Sequence, residues 1–181
     1  MLDIGCGEGF LLREAEASGL STVGVDLVQP ALDLARSRLS SVPLGIGAGE
    51  ALPFRREAFH VVTCLGSLEH FVDPEAGARE IHRVLRPDGR ALVVVPNRAF
   101  AGWWLPGWNG TEQRKASELM LTLEGWRALL EQNGLSVLAA RPEPWYSKRV
   151  PTAIQRIALR VAWRLLPLRW TYQLAFVCAR G

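Results

Sequence analysis

The chain opens on Leu2-Asp-Ile-Gly-Cys-Gly-Glu-Gly-Phe-Leu-Leu12, in which glycines alternate with other residues at positions 5, 7 and 9. Leu2 to Ile4 reads as the end of a buried strand, and Glu8 to Ala17 as a helix. Between them the backbone must turn sharply, and a ligand must be able to approach without meeting Cβ atoms, which is what glycine permits. The helix start behind such a loop offers unpaired N–H groups and a positive dipole end. A loop of this kind suits a nucleotide-like ligand lying across the carboxyl end of a parallel sheet.

Spacing narrows the ligand. A dinucleotide fingerprint wants Gly-x-Gly-x-x-Gly, but here the third glycine position is Phe10 and the pattern is Gly5-x-Gly7-x-Gly9. With Asp3 inside the strand end, Leu2-Asp-Ile-Gly-Cys-Gly-Glu-Gly9 resembles motif I of the class I S-adenosylmethionine (SAM) dependent methyltransferases. The resemblance implies that Gly5, Gly7 and Gly9 hold the methionine part of the cofactor SAM, with Asp3 near its amino group.

The following segments keep the order strand–helix. Ser21 to Asp26 is a short strand ending on an acid about 20 residues beyond the loop, where an open sheet places a carboxylate for ribose hydroxyls. A strand-end Asp26 capping the next helix is the structural alternative. Leu27 would lie against the adenine face. Pro30 starts a helix that keeps its spacing to Leu39, and Val42 to Gly47 is a third strand. Gly49-Glu-Ala-Leu-Pro-Phe54 resembles the family's segment after strand three, which implies that Glu50 approaches the adenine amino group and the Ala51 N–H the ring nitrogen. The family more often has Asp at the position of Glu50, and its spacing is longer.

Ala58 to Leu65 is a fourth strand, apolar over most of its length as a strand covered on both faces should be. The next stretch, Gly66-Ser-Leu-Glu-His-Phe-Val-Asp-Pro74, resembles the small-molecule branch that includes quinone-biosynthesis methyltransferases. The resemblance places the Leu65 backbone at the SAM amino group and His70 on the substrate side. Glu75 to Leu85 reads as a helix, Arg86 to Arg90 as a turn and Ala91 to Pro96 as a fifth strand. The expected fold is therefore α/β: a doubly wound, mostly parallel sheet of Rossmann-like methyltransferase type with right-handed crossovers.

Residues 97–121 interrupt the pattern with Trp103, Trp104, Trp108 and Pro106. They read equally as a substrate lid at the carboxyl edge or as a packed surface loop. A helix capped by Thr122 and stopped by Gly134 follows, then strand six over 135–140 and a last, antiparallel strand over 171–178. Between these strands, residues 151–166 form a basic amphipathic pattern. Ile154, Ile157, Val161 and Leu165 share one face, and Arg156, Arg160 and Arg164 another. Such a helix suits an anionic membrane surface, or packs on the sheet with its arginines in solvent.

All 181 residues fit a single domain. No apolar run approaches the roughly 18 residues of a membrane span. Cys6, Cys64 and Cys178 are an odd count without a CxxC pair, so buried free thiols in a reducing cytoplasm are expected. No His/Cys/Asp cluster has metal-ligand spacing. The net charge of +3 is uneven, with 8 basic and 1 acidic side chains in 141–181 against 13 and 17 before them. A basic tail on an acidic body points to an anionic surface, with the protein peripheral to a membrane. Nucleic acid is disfavoured, because strand four runs into Leu65-Gly-Ser-Leu rather than an Asn/Asp-Pro-Pro-Tyr-like motif.

The expected reaction is methyl transfer from SAM to a small, lipophilic acceptor, with the O, N or C nucleophile open. A general base of near-neutral pKa would serve it: His70 first, then Glu69, with a helix-capping His70 as the structural alternative. An NAD(P)-binding oxidoreductase is disfavoured by Phe10 and by the absence of a Tyr-x-x-x-Lys pair. The third expectation is a non-catalytic, methyltransferase-like subunit. Strand one begins at Leu2, where relatives carry a covering N-terminal helix, and a second copy or a partner protein would supply that cover.

Overall fold

The computed structural model describes residues 1–39, 41–100, 118–143 and 167–181. The Trp-rich stretch around Trp103, Trp104 and Trp108 and the basic amphipathic stretch 151–166 lie outside the described residues.

Among the described residues seven strands form one sheet in the order β3-β2-β1-β4-β5-β7-β6. β1 (Leu2–Ile4), β2 (Val23–Asp26), β3 (Leu44–Ile46), β4 (Phe59–Leu65) and β5 (Leu85–Pro96) are mutually parallel. β7 (Gln173–Arg180) runs antiparallel between β5 and β6 (Leu135–Glu143). The expected mostly parallel sheet with a C-terminal antiparallel strand is what the chain forms. Parallel pairing needs crossover connections, and α1 (Phe10–Ala17), α2 (Gln29–Arg38) and α3 (Pro74–Val84) supply them, with α4 (Leu123–Gln132) leading into β6.

Among the described residues two apolar clusters hold the layers. Leu12 of α1 and Leu32 and Ala35 of α2 pack with Cys6 and Leu39. Ala78, Ile81 and Val84 of α3 and Trp126 and Leu130 of α4 join the larger cluster with Ile4, Cys64, Val93 and Phe176. Trp126 is fully buried, and its indole N–H donates to Pro96 O at 2.8 Å, so its one polar atom is satisfied. All three cysteines are buried and free, and burial pushes the Cys6 and Cys178 thiols up to about 12, which leaves them inert as nucleophiles.

Local signals explain most boundaries. Asp73 caps α3 by accepting from Ala76 N, and Pro74 stands in its first turn. Thr122 caps α4 by accepting from Gly125 N. Two expectations are corrected. α1 begins at Phe10 rather than Glu8, because Gly9 is its N-cap with φ 77°, so the loop runs two residues further. Arg86 to Arg90, expected as a turn, belongs to β5. Its register against β4 shifts from Phe59–Leu85 to Val61–Arg90, so the extra residues bulge out while the chain stays extended.

Candidate active site

β1 lies between β2 and β4, and chain direction through the sheet reverses around it. At this switch point the carboxyl ends of the strands leave a crevice, here a cleft of about 500 Å3. Gly5 and Gly7 after β1, Asp26 and Leu27 at the end of β2, and Glu50 after β3 line one side of it. Leu65 at the end of β4, Ser67 and His70 line the other.

The glycine loop is folded under β2. The N–H groups of Gly5 and Cys6 both donate to Val25 O, and Gly9 N donates to Cys6 O. Gly5 has φ 70°, and a Cβ there would sit 2.1 Å from Ser67 Oγ, so the position tolerates neither the backbone nor the bulk of another residue. Gly9 has a different role from the one expected of it. It does not line the cleft, and a Cβ on it would meet Leu39 Cδ1 at 2.8 Å, so it lets α1 and α2 close on each other.

Asp26 organises the loop as well as the cleft. Its Oδ2 accepts from Gly7 N at 2.7 Å and its Oδ1 from Val28 N at 2.8 Å. Asp26 does not cap α2, whose N-cap is Val28 with no side-chain cap bond; its carboxylate oxygens keep lone pairs free towards the cleft that it lines. Leu27 is 63% exposed at the rim and presents an apolar plate to the cleft.

Glu50 accepts from Val72 N through Oε1 at 2.8 Å, while its Oε2 is buried without a partner. A buried acceptor without a donor is costly, and the residue that carries it lines the cleft. Ala51 is not brought into the cleft. Its N–H donates to Ala48 O at 3.2 Å inside the turn, so it has no free donor for a ring nitrogen.

Asp3 is 4% exposed, beneath the loop rather than on the cleft wall. Its Oδ1 accepts from Thr63 Oγ1 at 2.6 Å. Burial raises its pKa to about 6, with the nearby Asp26 charge adding to the rise and the Thr63 bond opposing it.

On the opposite wall, Leu68–His70 forms a single 3-10 turn after β4. His70 lines the cleft; its Nδ1 is sealed from solvent without a partner, and its Nε2 lies 4.0 Å from Glu118 Oε1. Glu69 does not reach the cleft. It is 5% exposed, and burial raises its carboxyl to about 7, with the Glu118 charge also raising it. Glu69 is thus placed behind His70, and its backbone carbonyl accepts from Leu119 N at 2.8 Å. Glu118, Phe71 and Val72 were not foreseen from the sequence. Glu118 follows a stretch whose sequence has no periodicity. Phe71 had a usable signal in Gly49 and Gly77, two glycines without positive φ that leave room for its ring. Among the described residues no group of His, Cys, Asp or Glu side chains could hold a metal ion.

Comparison with known proteins adds the family. Residues 2–93 match the family described as a methyltransferase domain. A demethylmenaquinone methyltransferase of Chlorobaculum parvum is 34% identical over 97 residues, covering 53% of this chain and 40% of the relative. A ubiquinone biosynthesis O-methyltransferase of Idiomarina loihiensis is 32% identical over 161 residues, covering 78% of this chain and 65% of the relative. The chain thus spans 40–65% of the length of these two relatives. Among solved structures, an S-adenosylmethionine dependent methyltransferase from Mesorhizobium loti superposes with a TM-score of 0.76 at 18% identity, covering 99% of this chain and 90% of that one. The [4+2]-cyclase SpnF superposes with a TM-score of 0.71 at 22% identity, covering 99% and 74%. Likeness at that identity speaks for the fold alone, and two proteins named for different reactions share it.

Proposed function

The chain belongs to the methyltransferase-domain family, and from that premise we propose that it is a class I SAM-dependent methyltransferase acting on a small quinol or phenol. The observation that carries the cofactor assignment is Glu50, which lines the cleft at the sheet's switch point and whose Oε2 is buried without a donor. An adenine amino group supplies such a donor. Around it, Asp26 offers its remaining lone pairs to ribose hydroxyls, Leu27 covers an aromatic face, and the Gly5–Gly7 backbone admits the methionine portion. The quinol class is motivated by the relatives named for quinone biosynthesis.

SAM supplies a methyl group on a sulfonium whose departure leaves a neutral thioether. The protein's share is alignment of donor and acceptor, which can account for much of the barrier, together with removal of the acceptor's proton. His70 is the base in this proposal. Nε2, the ring nitrogen nearest Glu118, takes the acceptor's proton. Glu118, 4.0 Å from that nitrogen, would stabilise the imidazolium that forms. Glu69 takes no proton from the acceptor, because it does not line the cleft.

Calorimetric titration with SAM, its demethylated product S-adenosylhomocysteine and NAD tests the cofactor. Micromolar binding of the first two without NAD is expected, and NAD binding alone would reject the assignment. With a short-chain demethylmenaquinol as acceptor, His70→Ala should lower turnover at least tenfold while cofactor affinity is kept. Unchanged turnover would remove His70 from the chemistry.

A further inference from the structure

The cofactor side and the acceptor side of the cleft are fastened together at two points. The first is the hydrogen bond from Val72 N–H to Glu50 Oε1 at 2.8 Å, which ties the backbone just after His70 to the loop after β3. The second is Phe71. A Cβ on Gly49 would sit 2.1 Å from its Cζ, and a Cβ on Gly77 would sit 2.4 Å from its Cδ2, so the ring fills a slot between that loop and α3. Neither glycine has a positive φ. Gly77 lies inside α3, where glycine costs roughly 0.5–1 kcal/mol relative to alanine. Room for the Phe71 ring accounts for both glycines.

We propose that Glu50 is a positioning residue for His70: a single carboxylate joins the adenine amino group of the bound cofactor to the backbone that carries His70. Cofactor binding then completes the acceptor side of the cleft. The inference rests on the cofactor reading above and extends it. Oε1 already holds Val72, and Oε2 is buried and unpartnered. Donation into Oε2 restrains the whole carboxylate and with it the Val72 bond. Only a carboxylate accepts at both ends; a glutamine accepts at one and donates at the other, so it can serve Val72 or the adenine amino group but not both.

The Val72 side chain is fully exposed, and its amide has Glu50 as its acceptor, so hydrogen exchange at that amide reports this bond. Exchange at Val72 would be measured by NMR in the wild-type protein and in Glu50→Gln, each alone and saturated with S-adenosylhomocysteine, with occupancy set by titration. In the wild type, saturation should slow exchange at least tenfold. In Glu50→Gln, saturated to the same occupancy, it should slow less than threefold. A bond serving only the fold would not respond to the ligand. Equal slowing in both proteins would overturn the inference, as would no slowing in the saturated wild type, a result that stands even if the variant does not fold. Failure of folded wild type to bind S-adenosylhomocysteine would overturn the cofactor reading and this inference with it. Binding without a response at Val72 overturns the inference alone.

Discussion

Alanine at Gly5 and alanine at Gly7 should have very different effects, although the two positions look alike in sequence. Both have positive φ, 70° and 52°, so alanine pays a left-handed backbone cost of roughly 1–2 kcal/mol at either. They differ in surroundings. A Cβ on Gly7 has nothing within 4 Å, whereas a Cβ on Gly5 would lie 2.1 Å from Ser67 Oγ and 2.6 Å from Ser67 Cβ. Rotating the Ser67 hydroxyl away leaves the second contact, so the backbone at the end of β4 must move. Overpacking of this kind adds roughly 1–3 kcal/mol. Gly5→Ala should therefore cost about 2–5 kcal/mol in urea unfolding of the ligand-free protein, and Gly7→Ala about 1–2. The clash and the backbone term separate in the double variant Gly5→Ala/Ser67→Gly. It should regain the overpacking part when compared with Ser67→Gly alone, and the coupling energy measures the contact. Equal costs at Gly5 and Gly7, or no coupling to Ser67, would refute the assignment of Gly5 to close approach of β1 and β4.

Other perturbations have equally definite signs. Burial raises the Glu69 carboxyl from 4.5 to about 7, so the unfolded chain gives up this proton first. Stability is therefore lost as pH rises from 4.5 through about 7, to the extent of about 3 kcal/mol; Glu69→Gln should reduce the loss between pH 4.5 and 8 in urea titrations by about that much, leaving the share of Asp3, and an unchanged loss would contradict it. Asp3, raised to about 6, should favour a cationic ligand only when ionised. SAM affinity should thus fall below pH 6, by at most tenfold per unit, and Asp3→Asn should flatten that fall in calorimetry. Trp126→Ala should cost about 3–5 kcal/mol of unfolding free energy, because a fully buried indole is lost and Pro96 O loses its donor.

The β1-to-β5 half of the fold was legible because its signals are local. Strands covered on both faces read as apolar runs, and the glycine loop must follow a strand; beyond that half, Thr122 marks the start of α4 through its own side chain. What was not legible depends on distance in the chain. Arg86 to Arg90 carries Pro87, Asp88 and Gly89, a composition that reads as a turn. It stays extended because Ala91 to Pro96 is held between β4 and β7, two strands far away in sequence. Gly9 looked like Gly5 and Gly7, yet the contact that requires it is Leu39, thirty residues on.

The same division runs through the site. That Asp26 lines the cleft was legible because a strand-end acid at a fixed interval from a glycine loop is a one-dimensional pattern. The Ala51 N–H was misplaced because a motif fixes which residues are near a ligand but not where each N–H points; its carbonyl partner, Ala48, lies within the same turn. Glu69 and His70 are neighbours in sequence, and spacing ranked them as two candidates for one role. The 3-10 turn sends them to different places, His70 into the cleft and Glu69 into the protein. The buried carboxyl of Glu69, raised to about 7, then acts on stability, and the imidazole is left lining the cleft. Adjacent ionisable residues on a tight turn are thus distinguished by the direction of their side chains, which depends on packing from α3 and the segment reaching Leu119 rather than on the motif that contains them.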